Sequence, residues 1–199
     1  NAKDSISYDK FTIVYTGGFY GPRRPEVFFE GLKRFFDDRP DARNRCQFVF
    51  IGRGLENYTR GWELDDIIVD KGYMSQKDVI RHLFQADILL LILGFDPNGA
   101  GVIPAKLPEY LPTSRPILSL VPEGETAGYL REFNDGCVIT EPDPALVTAY
   151  LADQFARFEQ RGDQPIKPSV AQIDKFTRQY QTKQLADLFD RAVENYTGK

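Results

Sequence analysis

The hydrophobic residues of this chain form short uninterrupted runs, separated by longer segments with helical periodicity. Apolar residues at successive positions, instead of every second one, are typical of strands buried on both faces of a parallel sheet. The pattern predicts an α/β fold, a Rossmann-like parallel sheet of about six strands with helices on both faces. The runs that predict strands are Phe11 to Thr16, Phe48 to Ile51, Ile67 to Val69, Ile88 to Leu93, Pro116 to Leu120 and Cys137 to Ile139.

Two of the intervening segments carry signals that start helices in the first half of the chain. Pro25 suits a first helical turn, and a helix is predicted from it to Asp37, with aromatic and leucine side chains on one face. Ser75 followed by Asp78 resembles a capping box. The helix that this box opens is expected to bury Val79, Ile80, Leu83 and Phe84.

The second half of the chain adds two predicted helices. Asp143-Pro144 is an N-cap and first-turn pair, which predicts a helix to about Arg157. A last helix is predicted over Ala171 to Val193. We therefore expect a linker over residues 1–10, a Rossmann-like domain over 11–160, and a second linker with the C-terminal helix over 161–199. Because the chain starts with a polar segment and no initiator methionine, we expect it to be a piece of a larger protein.

Composition and charge narrow the range of functions. The 199 residues are enough for one globular domain with a sizeable core. The formal net charge is −4, so we expect no nucleic-acid partner, because such modules normally present a basic face. Ile88 to Leu93 is the longest apolar run and is far shorter than the about 20 residues that cross a bilayer, so no transmembrane segment is predicted. Cys46 and Cys137 adjoin predicted strands and are expected to be free thiols.

The turn after the first strand is the first candidate for ligand binding, because ligands of open parallel sheets bind beyond the carboxyl ends of the strands. Gly17 and Gly18 follow the strand, and Arg23 and Arg24 precede the helix. Glycines let the backbone approach a ligand, helix N-termini offer free N–H groups, and arginines bind phosphate oxygens. The turn matches neither the P-loop nor GxGxxG. It predicts a diphosphate cradle, or else a glycine turn with solvated arginines.

Two further strand ends are candidates for the same site. The second strand ends in Gly52-Arg53-Gly54, which either packs near a ligand or only links the strand to the next segment. Tyr73 and Met74 follow the third strand, where backbone atoms can bind the edge of a base, unless both side chains belong to the core. Spacing alone leaves these alternatives open.

Lys106 and Glu109 form the most informative pattern. They lie three residues apart, hence on one face of a short helix, after the strand that ends near Leu93. A lysine that reaches phosphate and a carboxylate that accepts from two sugar hydroxyls suit a nucleotide diphosphate. The alternative is a surface ion pair, worth about 0.5 kcal/mol.

Metal and histidine chemistry are not expected. His82 is the single histidine and falls beside the inward-facing residues of its predicted helix, so we expect it to be structural. Without a Cys/His cluster the chain offers neither a zinc site nor a histidine-based triad. The sequence assigns no catalytic residue.

Taken in order, these motifs resemble the C-terminal domain of glycosyltransferase family 4, from about residue 11 to residue 193. In that family a glycine turn and a basic residue come first, as with Gly17-Gly18 here. Similar motifs follow in Gly52-Arg53-Gly54, in Val69-Asp70-Lys71-Gly72 before the base-binding turn, and in Ala86-Asp87 before the next strand. The order of the motifs carries the resemblance more than any single one.

The end of the domain is similar to the family's C-terminal signature. Lys106-x-x-Glu109-Tyr-Leu and the following Arg-Pro-Ile-Leu strand match its pattern, and Asn1 and Asp4 are loosely similar to the family's interdomain hinge. The resemblance implies that Arg23 or Arg24 and Lys106 hold the diphosphate, Tyr73 and Met74 the base, and Glu109 the ribose hydroxyls. The full predicted nucleotide-sugar site is Gly18, Arg23, Arg24, Gly52, Tyr73, Met74, Lys106, Leu107 and Glu109.

The resemblance also implies a function and a setting. It implies the donor-binding C-terminal half of a GT-B fold, in a retaining hexosyltransferase of polysaccharide or glycoconjugate biosynthesis. The donor is a nucleotide-diphosphate sugar, with no other cofactor and no metal, and the partner is an N-terminal acceptor domain of the same chain. The isolated domain is then expected to be inactive. A cytoplasmic location is implied, with peripheral attachment to the inner face of the cytoplasmic membrane through the N-terminal half, toward which the final helix would pack.

One position departs from the family's pattern. The signature usually has another glutamate eight residues before the one that matches Glu109, and Gly101 stands there. Asp96 and Asn98 are the candidates to replace its contact with the donor sugar. Either the donor sugar is positioned differently, or the enzyme is altered in its activity. The second hypothesis is a non-catalytic nucleotide-binding or interaction module that kept the fold. A nicotinamide-dependent oxidoreductase is disfavoured, because GxGxxG is missing and no suitably placed acid follows the second strand.

Overall fold

The computed structural model describes residues 6–162 and 178–197, which belong to two compact units of the chain. The first unit contains a sheet of six strands in which all five pairings are parallel, in the order β3-β2-β1-β4-β5-β6. This order is that of a doubly wound Rossmann sheet, so the predicted fold class is confirmed. The strands are β1 Phe11–Gly18, β2 Cys46–Arg53, β3 Ile68–Asp70, β4 Ile88–Ile92, β5 Ile117–Leu120 and β6 Cys137–Ile139.

Six α-helices lie in the described part of the chain. Those of the first unit are α1 Glu26–Asp38, α2 Gln76–Gln85, α3 Leu107–Tyr110, α4 Glu125–Phe133 and α5 Pro144–Arg161, and the second unit contains α6 Arg178–Thr197. Helix α4 was not predicted from the sequence, and α5 is one turn longer than predicted. The predicted start of the last helix at Ala171 and residues 1–5 of the predicted N-terminal linker, which include Asn1 and Asp4, lie outside the described residues.

The predicted helix starts are present. The Asp78 N–H donates to the Ser75 hydroxyl at 3.3 Å, and that hydroxyl lies 2.6 Å from the Asp78 carboxylate. Asp143 accepts a hydrogen bond of 2.8 Å from the Ala145 N–H at the start of α5. Each side chain satisfies a backbone donor that a helix N-terminus leaves unpaired.

Both faces of the sheet are buried, as the uninterrupted apolar runs predicted. Ile13 and Tyr15 belong to one core cluster with the aromatic residues of α1 and with Phe155 of α5. Val14 and Val49, which alternate with residues of that cluster along their strands, are also fully buried. Helices therefore cover the sheet on both sides.

The buried face of α2 differs from the prediction. Leu83 is buried, but Ile80 and Phe84 are each 36% exposed, so their predicted burial is wrong. The buried residues are instead His82 and Leu83, together with Ala86 directly after the helix. A hydrogen bond joins the His82 Nδ1 to the Tyr8 hydroxyl, and burial lowers the pKa of His82, in agreement with a structural role.

Polar and sulfur side chains at the amino ends of the strands are structural as well. Asp87 accepts hydrogen bonds from the Thr12 N–H at 2.8 Å and from the Arg161 guanidinium at 2.7 Å, which joins β1, β4 and the end of α5. Cys46 and Cys137 are free thiols, as predicted. Burial raises the pKa of Cys46 to about 12 and also raises that of Cys137, which keeps both protonated at neutral pH.

Candidate functional site

A cleft of about 610 Å³ opens at the carboxyl ends of β1 and β2. From β1 the chain adds β2 and β3 on one side of the sheet and then β4, β5 and β6 on the other. Open α/β sheets bind ligands at such a switch point. The cleft is also bordered by the turn before α2 and by the start of α3. It brings together the predicted residues Gly18, Arg23, Gly52, Tyr73, Met74, Lys106 and Glu109.

Two of the predicted site residues do not line this cleft. The Arg24 side chain is 67% exposed, and its guanidinium lies 3.8 Å from Glu26. Leu107, the first residue of α3, is buried in the core. Neither residue therefore lines the cleft that the other seven predicted residues share.

The glycines of β1 and β2 bring the two strand ends into contact. Gly17 pairs with Gly52 in the sheet, and a β-carbon on Gly52 would lie only 1.7 Å from the Gly17 carbonyl oxygen. Gly17 has φ of +105°, a conformation that side chains disfavour, and a β-carbon there would lie 3.2 Å from the Lys106 Nζ. Gly52 is thus needed for the close approach of the two strand ends, and Gly17 leaves room for the Lys106 ammonium.

Lys106 is the most buried cation of the cleft. Its Nζ donates to the Thr16 carbonyl and lies 4.1 Å from the centroid of the Tyr15 ring. Burial lowers the pKa of Lys106 to about 7, the positive charge of Arg23 adds to this effect, and Glu109 opposes it. An anion in the cleft would remove the repulsion between Lys106 and Arg23.

Tyr110 attaches α3 to the sheet beneath the cleft. Its hydroxyl accepts from the Thr16 N–H at 3.1 Å, lies 3.0 Å from the Thr16 Oγ1, and donates to the Leu90 carbonyl at 3.3 Å. The residue is fully buried. These bonds hold the helix that carries Lys106 and Glu109 at the ends of β1 and β4.

Glu109 has a partner that the sequence analysis missed. The Gln76 Nε2 donates to the Glu109 Oε1 at 2.8 Å, from the first residue of α2 to α3. This is the one hydrogen bond to the Glu109 carboxylate among the described residues, so the alternative of a Lys106–Glu109 surface ion pair is not what the structure shows. No sequence signal distinguishes Gln76 from any other polar residue in a first helical turn.

Two exposed tyrosines flank the cleft, and each contacts an arginine. Tyr73 is 78% exposed, so it is not a core residue, and the Arg53 guanidinium lies 5.2 Å from its ring centroid. Tyr20, which the sequence analysis did not single out, is 59% exposed, with the Arg23 guanidinium 4.7 Å from its ring centroid. Met74 is half-buried. These rings offer flat apolar surfaces beside the cationic part of the cleft.

The loop after β4 places no carboxylate in the cleft. Gly101 is exposed, with open space where its β-carbon would be. Asp96 instead accepts two hydrogen bonds of 2.9 Å from Asn98, one from the backbone N–H and one from the side chain. Neither Asp96 nor Asn98 lines the cleft. Among the described lining residues Glu109 is the single carboxylate.

Residues 6–162 and 178–197 contain no group of three or more histidine, cysteine or acidic side chains that could hold a metal ion. None of the described helices has the length and apolar character needed to cross a bilayer.

Solved structures share this fold, although no family model and no curated protein matches the sequence. WaaG, a glycosyltransferase involved in lipopolysaccharide biosynthesis, matches with a TM-score of 0.62 and 16% identity, over 100% of this chain and 50% of WaaG. A glycosyltransferase from Rickettsia africae matches with a TM-score of 0.68 and 13% identity, over 98% of this chain and 51% of the other.

A third match contains a nucleotide. A mutant of S. aureus TarM, in complex with fondaparinux, α-GlcNAc-glycerol and UDP, matches with a TM-score of 0.63 and 12% identity, over 92% of this chain and 36% of TarM. The chain thus spans about half the length, or less, of the proteins it matches. At these identities the similarity establishes the fold, and the chain has a Rossmann-like fold that matches GT-B glycosyltransferases.

Proposed function

We propose that this chain binds the nucleotide-diphosphate part of a sugar donor, as the donor-binding C-terminal half of a retaining family 4 glycosyltransferase. The observation that carries the proposal is the convergence of Lys106, Arg23 and Glu109 on one cleft at the switch point of the sheet. Two cations and one carboxylate, from segments about 80 residues apart in sequence, match the charges of a diphosphate and the hydroxyls of a ribose.

The diphosphate would occupy the end of β1. Gly17 and Gly18 allow close approach of the backbone there, and the Lys106 ammonium and the Arg23 guanidinium flank the turn. The mutual repulsion of the two cations in the free protein favours binding of an anion with more than one charge. Arg24, which does not line the cleft, would act at most at longer range.

The ribose and the base would lie toward α2 and α3. Glu109 accepts hydrogen bonds from ribose hydroxyls, while Tyr73 and Met74 border the space for the base. The fold match to TarM, which was solved with UDP, supports a nucleotide as the ligand. The fold matches to glycosyltransferases, one of them involved in lipopolysaccharide biosynthesis, also support a transferase. The proposal adds an acceptor held by an N-terminal half and a role in polysaccharide or glycoconjugate biosynthesis. A cytoplasmic location with peripheral membrane attachment through that half belongs to the same proposal.

A non-catalytic nucleotide-binding module is the second candidate. The observation that favours it is Gly101, since the loop after β4 directs no carboxylate toward a donor sugar. Such a module would bind a free nucleoside diphosphate and its hexose derivative equally well. A transferase would distinguish the two ligands and, with its N-terminal half present, would transfer or hydrolyse the sugar.

Calorimetric titration of the chain with UDP, GDP and ADP and with their hexose derivatives tests the proposal. We expect selective binding of one base, weakened about tenfold or more by Glu109→Gln, because a hydrogen bond to a charged group contributes about 1.5 to 3 kcal/mol. Glu56→Gln, at an exposed residue outside the cleft, is the control. Absence of binding to all these ligands would overturn the proposal.

A further inference from the structure

The Glu109 carboxylate is held from one side. Gln76 donates to its Oε1 at 2.8 Å, and over the described residues Oε2 has no hydrogen-bond donor. Both Gln76 and Glu109 line the cleft. A glutamate on a short helix has three rotatable side-chain bonds, so one well-formed hydrogen bond decides which of its rotamers is populated.

Gln76 is itself fixed by the start of α2. It directly follows the N-cap residue Ser75, whose side chain is engaged with the Asp78 N–H and carboxylate. The capped helix start therefore fixes the backbone of Gln76, from which its side-chain amide reaches Glu109 on α3. The segment that carries Tyr73 and Met74 leads directly into this cap.

We propose that Gln76 is a positioning residue for recognition of ribose: by occupying Oε1 of Glu109, it presents Oε2 to the hydroxyls of a ribonucleoside diphosphate. The inference rests on the proposed function and adds a determinant for ribose over deoxyribose. Gln76 acts through Glu109 and does not contact the diphosphate, which is assigned to Lys106 and Arg23. The effect of Gln76 should therefore depend on the hydroxyls of the ligand.

The test compares Gln76→Met, which removes the donor with little change in size, with Lys77→Met at the adjacent exposed residue, which does not line the cleft. The ligands are the tightest binder among UDP, GDP and ADP, its 2′,3′-dideoxy analogue, and inorganic pyrophosphate. We expect Gln76→Met to weaken ribonucleotide binding about threefold to tenfold, as the loss of one hydrogen bond requires. Affinities for the dideoxy analogue and for pyrophosphate should not change, and Lys77→Met should match the unaltered protein throughout.

Each alternative outcome has a distinct meaning. Equal losses for the ribonucleotide and its dideoxy analogue, or no loss for either, would overturn the role of Gln76 and leave the proposed function intact. If the unaltered protein bound no nucleotide, the proposed function would fail, and the role of Gln76 with it. A smaller ratio between the affinities for the ribonucleotide and for its dideoxy analogue, in Gln76→Met and not in Lys77→Met, would support the inference.

Discussion

The ammonium group of Lys106 lies 4.1 Å from the centroid of the Tyr15 ring, at the end of the first strand. The ring and the Thr16 carbonyl compensate only in part for the water that the ammonium loses, and burial lowers the pKa of Lys106 to about 7. The charge of the cleft therefore changes within the physiological pH range, and this has consequences for binding and for stability.

Binding of a nucleotide sugar should weaken as the pH rises above about 7. In the free protein Lys106 loses its proton in this range, whereas a bound diphosphate favours the charged form, so binding takes up a proton and affinity falls by up to about tenfold per pH unit. Calorimetry between about pH 6 and about pH 9, in buffers with different ionisation enthalpies, counts the protons taken up.

A nucleotide sugar is the suitable ligand for this measurement, because its diphosphate is esterified at both ends and does not titrate near neutral pH. Lys106→Arg is the control, since a guanidinium stays charged over the whole range and should remove the pH dependence. An affinity of the unaltered protein that did not vary with pH would contradict the prediction.

The stability of the free protein should show the opposite trend with pH. Between pH of about 7 and the ordinary lysine value of 10.5, the unfolded chain holds a proton on residue 106 that the folded chain has released. The free energy of unfolding therefore rises with pH across this window, and the burial cost is fully present below about pH 7.

The free energy of unfolding of Lys106→Met should therefore exceed that of the unaltered protein most strongly below about pH 7, and this difference should shrink as the pH rises. Urea denaturation at a series of pH values measures the difference. Lys77→Met, at an exposed position outside the cleft, is the control for the loss of a lysine side chain. If the difference in free energy of unfolding between Lys106→Met and the unaltered protein did not vary with pH, Lys106 would keep its proton on folding.

The two adjacent arginines should contribute unequally to nucleotide binding. Arg23 lines the cleft, whereas Arg24 is 67% exposed and pairs with Glu26. We expect Arg23→Gln to weaken binding about tenfold or more, because charge-assisted bonds to phosphate are strong, and Arg24→Gln to have a much smaller effect. Titration of both variants with the same nucleotide measures this, and a greater loss for Arg24→Gln would place the diphosphate outside the cleft.

Gly52→Ala should disrupt the floor of the cleft. Its β-carbon would lie 1.7 Å from the Gly17 carbonyl oxygen, so β1 and β2 must separate where Lys106 packs. A loss of about 1 to 3 kcal/mol in the free energy of unfolding is expected, together with loss of nucleotide binding.

Gly128→Ala is a matched control for this change. Gly128 lies inside α4 with open space around its β-carbon position, so alanine should stabilise the helix by up to about 1 kcal/mol. Thermal and urea denaturation of both variants compare the effects. Equal stability of Gly52→Ala and the unaltered protein would mean that the strand ends can separate without cost.

Tyr110→Phe removes only the hydroxyl oxygen and should lower the free energy of unfolding. Without the hydroxyl, the buried Thr16 N–H loses its partner, at a cost of about 1 to 3 kcal/mol. Tyr150→Phe is the control, because the buried Tyr150 hydroxyl has no hydrogen-bond partner among the described residues and its removal should be neutral or stabilising. Denaturation of the two variants measures the contrast, and similar effects would contradict it.

Much of the fold and part of the site could be predicted from local sequence. The strands and the caps at Ser75 and Asp143 follow from signals within a few residues, and the structure has them where predicted. The burial of α2 was predicted wrongly because hydrophobicity alone favours Ile80 and Phe84, whereas packing against the sheet buries His82. Gln76 was missed because its role depends on Glu109, which is 33 residues away in sequence.

Local sequence is enough to establish the alternation of strands and helices, since apolar runs, caps and turns act over short distances along the chain. It also determined which residue types follow each strand, and hence the candidate chemistry. Long-range packing is what sets Gly17 against Gly52, makes Arg23 and not Arg24 line the cleft, and brings the Lys106 ammonium over the Tyr15 ring. Those relationships depend on strand register and on the packing of distant segments, which local sequence signals do not encode.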